Sequence, residues 1–190
     1  MLKRILFVAL ASASVQVHSE VHFGVGASTG TYSVEDPKGS TDSDSTSSIF
    51  GVLTMPVDRN YPLWRYWFEL NHRSFELEAS QTDIGQKVSS TNINAIVQRG
   101  FDVSTQLRPW IGFGLGAGLN DYEDRYTIDQ DGYLKDLYDN RSETDFTGLL
   151  NVGLATRKLD AGFALGASLT YEVPLTDGIE GTTLNVFIMF

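Results

Sequence analysis

Between residues 110 and 119 the chain alternates with period two. Ile111, Phe113, Leu115, Ala117 and Leu119 are separated by Gly112, Gly114, Gly116 and Gly118. Successive strand side chains point to opposite faces, so this segment presents one wholly apolar face and one face with no side chains. The pattern returns over 162–173, where Phe163, Leu165, Ala167, Leu169, Tyr171 and Val173 alternate with Gly162, Ala164, Gly166, Ser168, Thr170 and Glu172. Strands of this kind suit a closed sheet. In a membrane barrel the apolar rows face lipid and the small or polar rows face the lumen. In a soluble, lipocalin-like barrel the apolar rows turn inward instead.

Beside strands over 110–122 and 162–173, further strands are expected over 21–32, 49–55, 63–75, 91–103, 146–156 and 182–190, giving eight. The segment 49–55 is apolar on both faces and leaves its orientation open. Connections alternate in length. Short turns are expected at 56–62, 104–106 and 157–160, and long polar loops at 33–48, 75–90, 120–145 and 174–182. Arg59, Arg108, Arg157 and Lys158 fall at the short turns. Most of the acidic charge falls in the long loops; residues 120–145 alone carry nine acids against three bases, a net of −6. One end of the barrel is therefore strongly acidic, which excludes nucleic acid as a partner for it.

Residues 1–19 begin with Lys3 and Arg4, continue through an apolar stretch over 5–11 and end on small residues, the form of a secretory signal peptide. The expected domain division is a signal peptide over 1–19 and a transmembrane β-barrel over 20–190. Without Lys3 and Arg4 the 14 basic residues become 12, against 24 acids, a formal charge of −12. The chain has no cysteine, hence no acylated lipoprotein cysteine and no disulfide framework. Nothing after the leader reads as a transmembrane helix, and only helices and closed barrels satisfy every backbone group inside a bilayer. At about 9–11 residues per membrane strand, the remaining length supplies about eight strands. A diffusion porin needs about 16–18.

These segments resemble the small eight-stranded outer-membrane barrels, the group that contains the OmpA membrane domain, OmpX and the porin-like outer membrane protein beta-barrel family. The run 109–118, Pro-Trp-Ile-Gly-Phe-Gly-Leu-Gly-Ala-Gly, is similar to that group's glycine-alternating central strand. At the C-terminus, Leu184, Val186, Ile188 and the final Phe190 share one strand face. This row resembles the signal by which such barrels are recognised for assembly. The resemblance implies an all-β, eight-stranded antiparallel up-and-down transmembrane barrel in the outer membrane of a Gram-negative bacterium. It also implies outer-membrane lipid, lipopolysaccharide and the barrel assembly machinery as partners. Unlike full-length OmpA, the chain carries no peptidoglycan-binding domain.

Three constellations are candidates for function. The strand over 63–75 sends Arg65, Trp67, Glu69, Asn71 and Arg73 to one side, the expected lumen, and buried charge must be paired. Glu172 and Asp102 are the expected cross-barrel partners, and Arg65, Glu69, Arg73 and Glu172 form the expected polar plug. The loop over 120–145 offers Asp121, Tyr122, Tyr126, Asp129, Asp131 and Tyr133 as an interaction surface, because loop tyrosines bring contact area at small entropic cost. Asp129-x-Asp131-Gly132 is only a fragment of a calcium-loop pattern, and no metal or cofactor is assigned. His72 and Ser74, with Glu76, carry the enzymatic alternative. A Ser-His-acid set facing lipid could hydrolyse an acyl ester, as lipid A deacylase barrels do. Against it, neighbours at i+2 on a strand point in parallel. Arg99 stands out as a cation on the lipid-facing row. The expected protein is a non-enzymatic outer-membrane barrel whose acidic outer loops bind an envelope or cell-surface protein. A lipid A acyl hydrolase and a narrow ion-conducting barrel are the alternatives.

Overall fold

The computed structural model describes residues 21–35, 41–58, 63–103, 106–156, 159, 162–175 and 178–190. The expected leader over 1–19 lies outside the described residues, as do Arg59, Arg157 and Lys158 of the short turns. Nine strands occur among the described residues: β1 (His22–Glu35), β2 (Thr41–Pro56), β3 (Trp64–Leu77), β4 (Gly85–Gly100), β5 (Leu107–Ile128), β6 (Leu134–Tyr138), β7 (Arg141–Thr156), β8 (Ala164–Pro174) and β9 (Ile179–Met189). All but β6 form a closed antiparallel barrel of eight strands. β1 pairs with β9, and β4 with β5, to complete the ring. At the seam between the ends of the barrel sheet, the Phe190 N–H donates to the Phe23 carbonyl at 2.7 Å.

Orientation follows the alternation. Ile111, Phe113, Leu115 and Leu119 are 53–62 % exposed, while Gly112, Gly116 and Gly118 between them are buried. Every barrel strand carries such an outward apolar row, including Phe23 and Val25 on β1 and Leu184, Val186 and Ile188 on β9. In water such a continuous belt would be strongly unfavourable. Facing lipid, it is the surface the fold requires, so the soluble-barrel arrangement is excluded. The inward glycines make room for rings: a Cβ at Gly166 would collide with Phe187, and one at Gly153 with Trp110.

The strands differ from expectation in length. The expected loops at 33–48 and 75–90 are largely the outer ends of β1, β2, β3 and β4. The expected 120–145 loop contains the top of β5, all of β6 and the start of β7. β5 has 22 residues, about twice the ~9–11 a bilayer requires. Above the apolar belt the alternation inverts. On β3 the outward row changes from Tyr66, Phe68 and Leu70 to His72, Ser74 and Glu76, while the inward row changes from Glu69 and Arg73 to Phe75 and Leu77. The outer ends thus form a water-facing barrel stacked on a lipid-facing one. Their polar composition follows from that exterior and does not mark irregular loops.

Candidate functional site: a filled lumen and an outward hairpin

The lumen is filled in three layers. Toward the end with the termini and short turns, Phe50, Val52, Trp67, Ile96, Trp110, Leu149, Phe187 and Met189 form a buried cluster. The Phe187 ring meets Trp67 edge-on at 5.0 Å, and Trp67 stacks with Trp110 at 6.4 Å. The doubly apolar segment 49–55 is resolved here: Phe50 and Val52 turn inward, Ile49 and Leu53 outward. Arg65 lies over Trp110, its guanidinium carbon 4.6 Å from the ring centroid, and its Nε donates to Gln98 Oε1 at 2.6 Å.

Polar groups fill the middle layer. Arg73 donates twice to Glu172, at 3.0 and 2.9 Å, with both side chains almost wholly buried. Its guanidinium also lies 3.9 Å from the Tyr32 ring centroid. Glu69 accepts from Trp67 Nε1 at 3.2 Å, from Asn71 Nδ2 at 3.0 Å and from Asn94 Nδ2 at 3.4 Å. Of the four residues expected to form the plug, Arg73 and Glu172 are joined directly, whereas Glu69 and Arg65 are held by neutral partners. Asp102, expected as a cross-barrel partner, has its ion pair at the rim. It lies in the exposed turn after β4 and pairs with Arg108 at 3.5 Å, because β4 ends at Gly100.

Above this layer, Tyr32, Val34, Phe75, Leu77, Val88, Tyr122 and Ile179 form a second buried cluster across the outer mouth. Tyr32 and Phe75 stack at 5.6 Å. Tyr122 was expected on the loop surface, but it is fully buried, with Arg141 above its ring at 4.5 Å. The reason is that β5 continues through this position and its parity turns the ring inward. The exposed acids Asp121 and Glu123 flank Tyr122 and place it above the apolar belt. Burial, with Asp145 beside it, pushes its phenol above the usual tyrosine range. The outer cluster was missed in the sequence although Tyr32/Val34 and Phe75/Leu77 announce it by alternation. Their phase is opposite to that of the belt.

Beyond the mouth, β5 and β6 form a projecting hairpin. Asp129 Oδ1 accepts the N–H groups of Asp131 and Tyr133, at 3.0 and 2.8 Å, and Gly132 takes φ 82°. The Asp129-x-Asp131-Gly132 fragment therefore builds a turn, in which an aspartate caps backbone donors and glycine supplies the left-handed residue. Tyr133, Leu134 and Leu137 are 72, 58 and 74 % exposed and Tyr126 36 %. Leu134 and Leu137 were not among the expected site residues; β6 is too short to register as a strand by periodicity. Asp121 is exposed and accepts from Ser142 Oγ at 2.5 Å.

His72, Ser74 and Glu76 lie in one outward row on β3. His72 Nδ1 is 3.0 Å from Thr91 Oγ1, and the Ser74 carbonyl accepts from the Thr46 hydroxyl at 2.7 Å. No hydrogen bond joins His72 to Ser74 among the described residues. A nucleophile and its base must meet within hydrogen-bond reach.

The sequence matches the outer membrane protein beta-barrel domain family over residues 5–189. No curated protein matches it. Among solved structures, the fold is similar to that of Ail, the attachment invasion locus protein of Yersinia pestis, with TM-score 0.53 and 13 % identity over 90 % of this chain and 100 % of that one. Neisserial surface protein A gives TM-score 0.58 and 12 % identity over 90 % of this chain and 98 % of that one. OprG from Pseudomonas aeruginosa gives 0.56 and 10 %, over 91 % and 97 %.

Proposed function

The chain belongs to the outer membrane protein beta-barrel domain family, and from that premise we propose that it is a non-enzymatic barrel with a filled lumen whose outward hairpin binds an envelope or cell-surface protein. The observation that carries this reading is the hairpin itself. Tyr133, Leu134 and Leu137 project from a water-facing element at 58–74 % exposure. Apolar side chains held this far from lipid suit the centre of a protein interface. β6 pairs with β5 on one side, and its other edge has no strand partner among the described residues, a geometry to which an extended segment can add. The surrounding acids, Asp121, Asp124, Asp131 and Asp136 among them, select a partner with a basic surface and speed its approach. Below the hairpin, outward Thr29, Thr31, Ser45, Ser47 and Thr144 are exposed. These hydroxyls suit the sugars of lipopolysaccharide. The two apolar clusters that cap the polar layer support a role other than conduction.

The test is in-cell crosslinking followed by detergent extraction, affinity isolation and mass spectrometry, with the wild-type protein beside a Tyr133→Ser/Leu137→Ser variant. A protein recovered with the wild type and lost from the variant supports the reading. Recovery of the same set from both refutes the hairpin as the binding element.

A further inference from the structure

The lipid-facing wall carries a full charge inside its apolar surface. The outward row of β4 reads Ile93, Ala95, Val97 and then Arg99, which is exposed. Arg99 pairs in register with Trp64 on β3 and Ile111 on β5. Its guanidinium carbon lies 5.7 Å from the Trp64 ring centroid and 5.6 Å from that of Phe101. Past Arg99 the apolar surface continues beside the exposed Asp102: Phe101 and Val103 in the turn are 39 and 70 % exposed, and Leu107 at the start of β5 is 42 % exposed. Among the described residues Arg99 has no acidic partner, and Asp102, three positions on, is paired with Arg108.

The ring contacts hold the cation in place but accept none of its N–H groups. A guanidinium fixed this way, with no acceptor on its donor fork among the described residues and the apolar row of β4 beside it, matches a phosphate whose chains lie against that row. We propose that Arg99, Trp64 and Phe101 form a headgroup site for an anionic phospholipid of the leaflet that faces the periplasm. The phosphate accepts from Arg99, and the acyl chains run along Val97, Ala95 and Ile111. Trp64 frames the site at the depth where an indole has one apolar and one wet side. The site lies at the opposite end of the barrel from the hairpin and does not depend on any partner there.

The test reconstitutes the full barrel in phosphatidylcholine nanodiscs containing a minor share of phosphatidylglycerol. Retained lipid is then measured by native mass spectrometry. Wild-type barrel is expected to keep phosphatidylglycerol in preference to phosphatidylcholine. Arg99→Gln should lower that preference about tenfold, equivalent to ~1.4 kcal/mol, with the gel-mobility shift of the folded barrel unchanged. Arg99→Lys should restore part of it, since it keeps the charge but not the fork. A Trp64→Leu/Phe101→Leu variant provides a second reading should Arg99→Gln fail to fold; it keeps the cation, removes its frame, and should also lose preference. Equal retention of the two lipids by wild type, or unchanged preference in the variants, would overturn the proposal. Displacement of the lipid by millimolar inorganic phosphate would also overturn it, by assigning the site to a soluble anion.

Discussion

Replacing Glu172 by glutamine should be the most costly single-atom-scale change available in the lumen. The side chains of Arg73 and Glu172 are 2 and 5 % exposed and share two hydrogen bonds, at 3.0 and 2.9 Å. A glutamine keeps the volume and one acceptor but leaves the guanidinium without its counter-charge. Breaking a buried pair from one side costs about 3–5 kcal/mol, mostly the penalty of the stranded charge. The expected cost lies in that range, because Glu172 is the acid that pairs with Arg73. Removing both charges in Arg73→Met/Glu172→Leu should bring stability back to within ~1 kcal/mol of wild type, since an apolar pair of similar size strands nothing. Urea unfolding in phosphatidylcholine vesicles reports this through tryptophan fluorescence, since Trp67 and Trp110 sit in the inner cluster. Two results would refute the reasoning: a cost below ~1 kcal/mol for Glu172→Gln, or a double variant as unstable as the single one.

Glu69→Gln should cost less than Glu172→Gln in the same assay, because Glu69 is held by Trp67, Asn71 and Asn94 and no cation loses a partner. Gly166→Val should lower stability by at least ~1–3 kcal/mol or block folding, since its Cβ meets the Phe187 ring; a wild-type gel shift and unfolding midpoint would contradict the inner packing. Leu115→Arg places a charge in the middle of the β5 lipid row and should cost about 2–4 kcal/mol, measured by unfolding in vesicles; a near-neutral result would mean that this row does not face hydrocarbon. Purified wild-type barrel in planar bilayers should show no stable conductance steps, and reproducible channels would show that the capping clusters open.

Strand alternation fixed much of the protein without any tertiary information. Glycines interleaved with Ile111, Phe113 and Leu115 allow one apolar face only, and repetition of that face around a closed sheet makes lipid its solvent. The inward placement of Arg65, Glu69 and Arg73 follows from the same parity. Tertiary structure decided what parity leaves open. In the segment 49–55 both faces are apolar, so only the space left beside Phe187 and Trp67 selects Phe50 and Val52 for the interior. The union of Arg73 with Glu172 joins β3 to β8 across the lumen, a distance no local pattern encodes. The outer strand ends were written in the sequence in a second phase: inward Tyr32, Val34, Phe75 and Leu77, with polar neighbours facing out. They read as loops because hydrophobic alternation reports a strand only relative to its solvent, and that solvent changes from lipid to water partway along β1 to β5 and β7. Where the change falls, and hence that Tyr122 is core while Tyr133 and Leu137 are surface, was settled by the closed barrel.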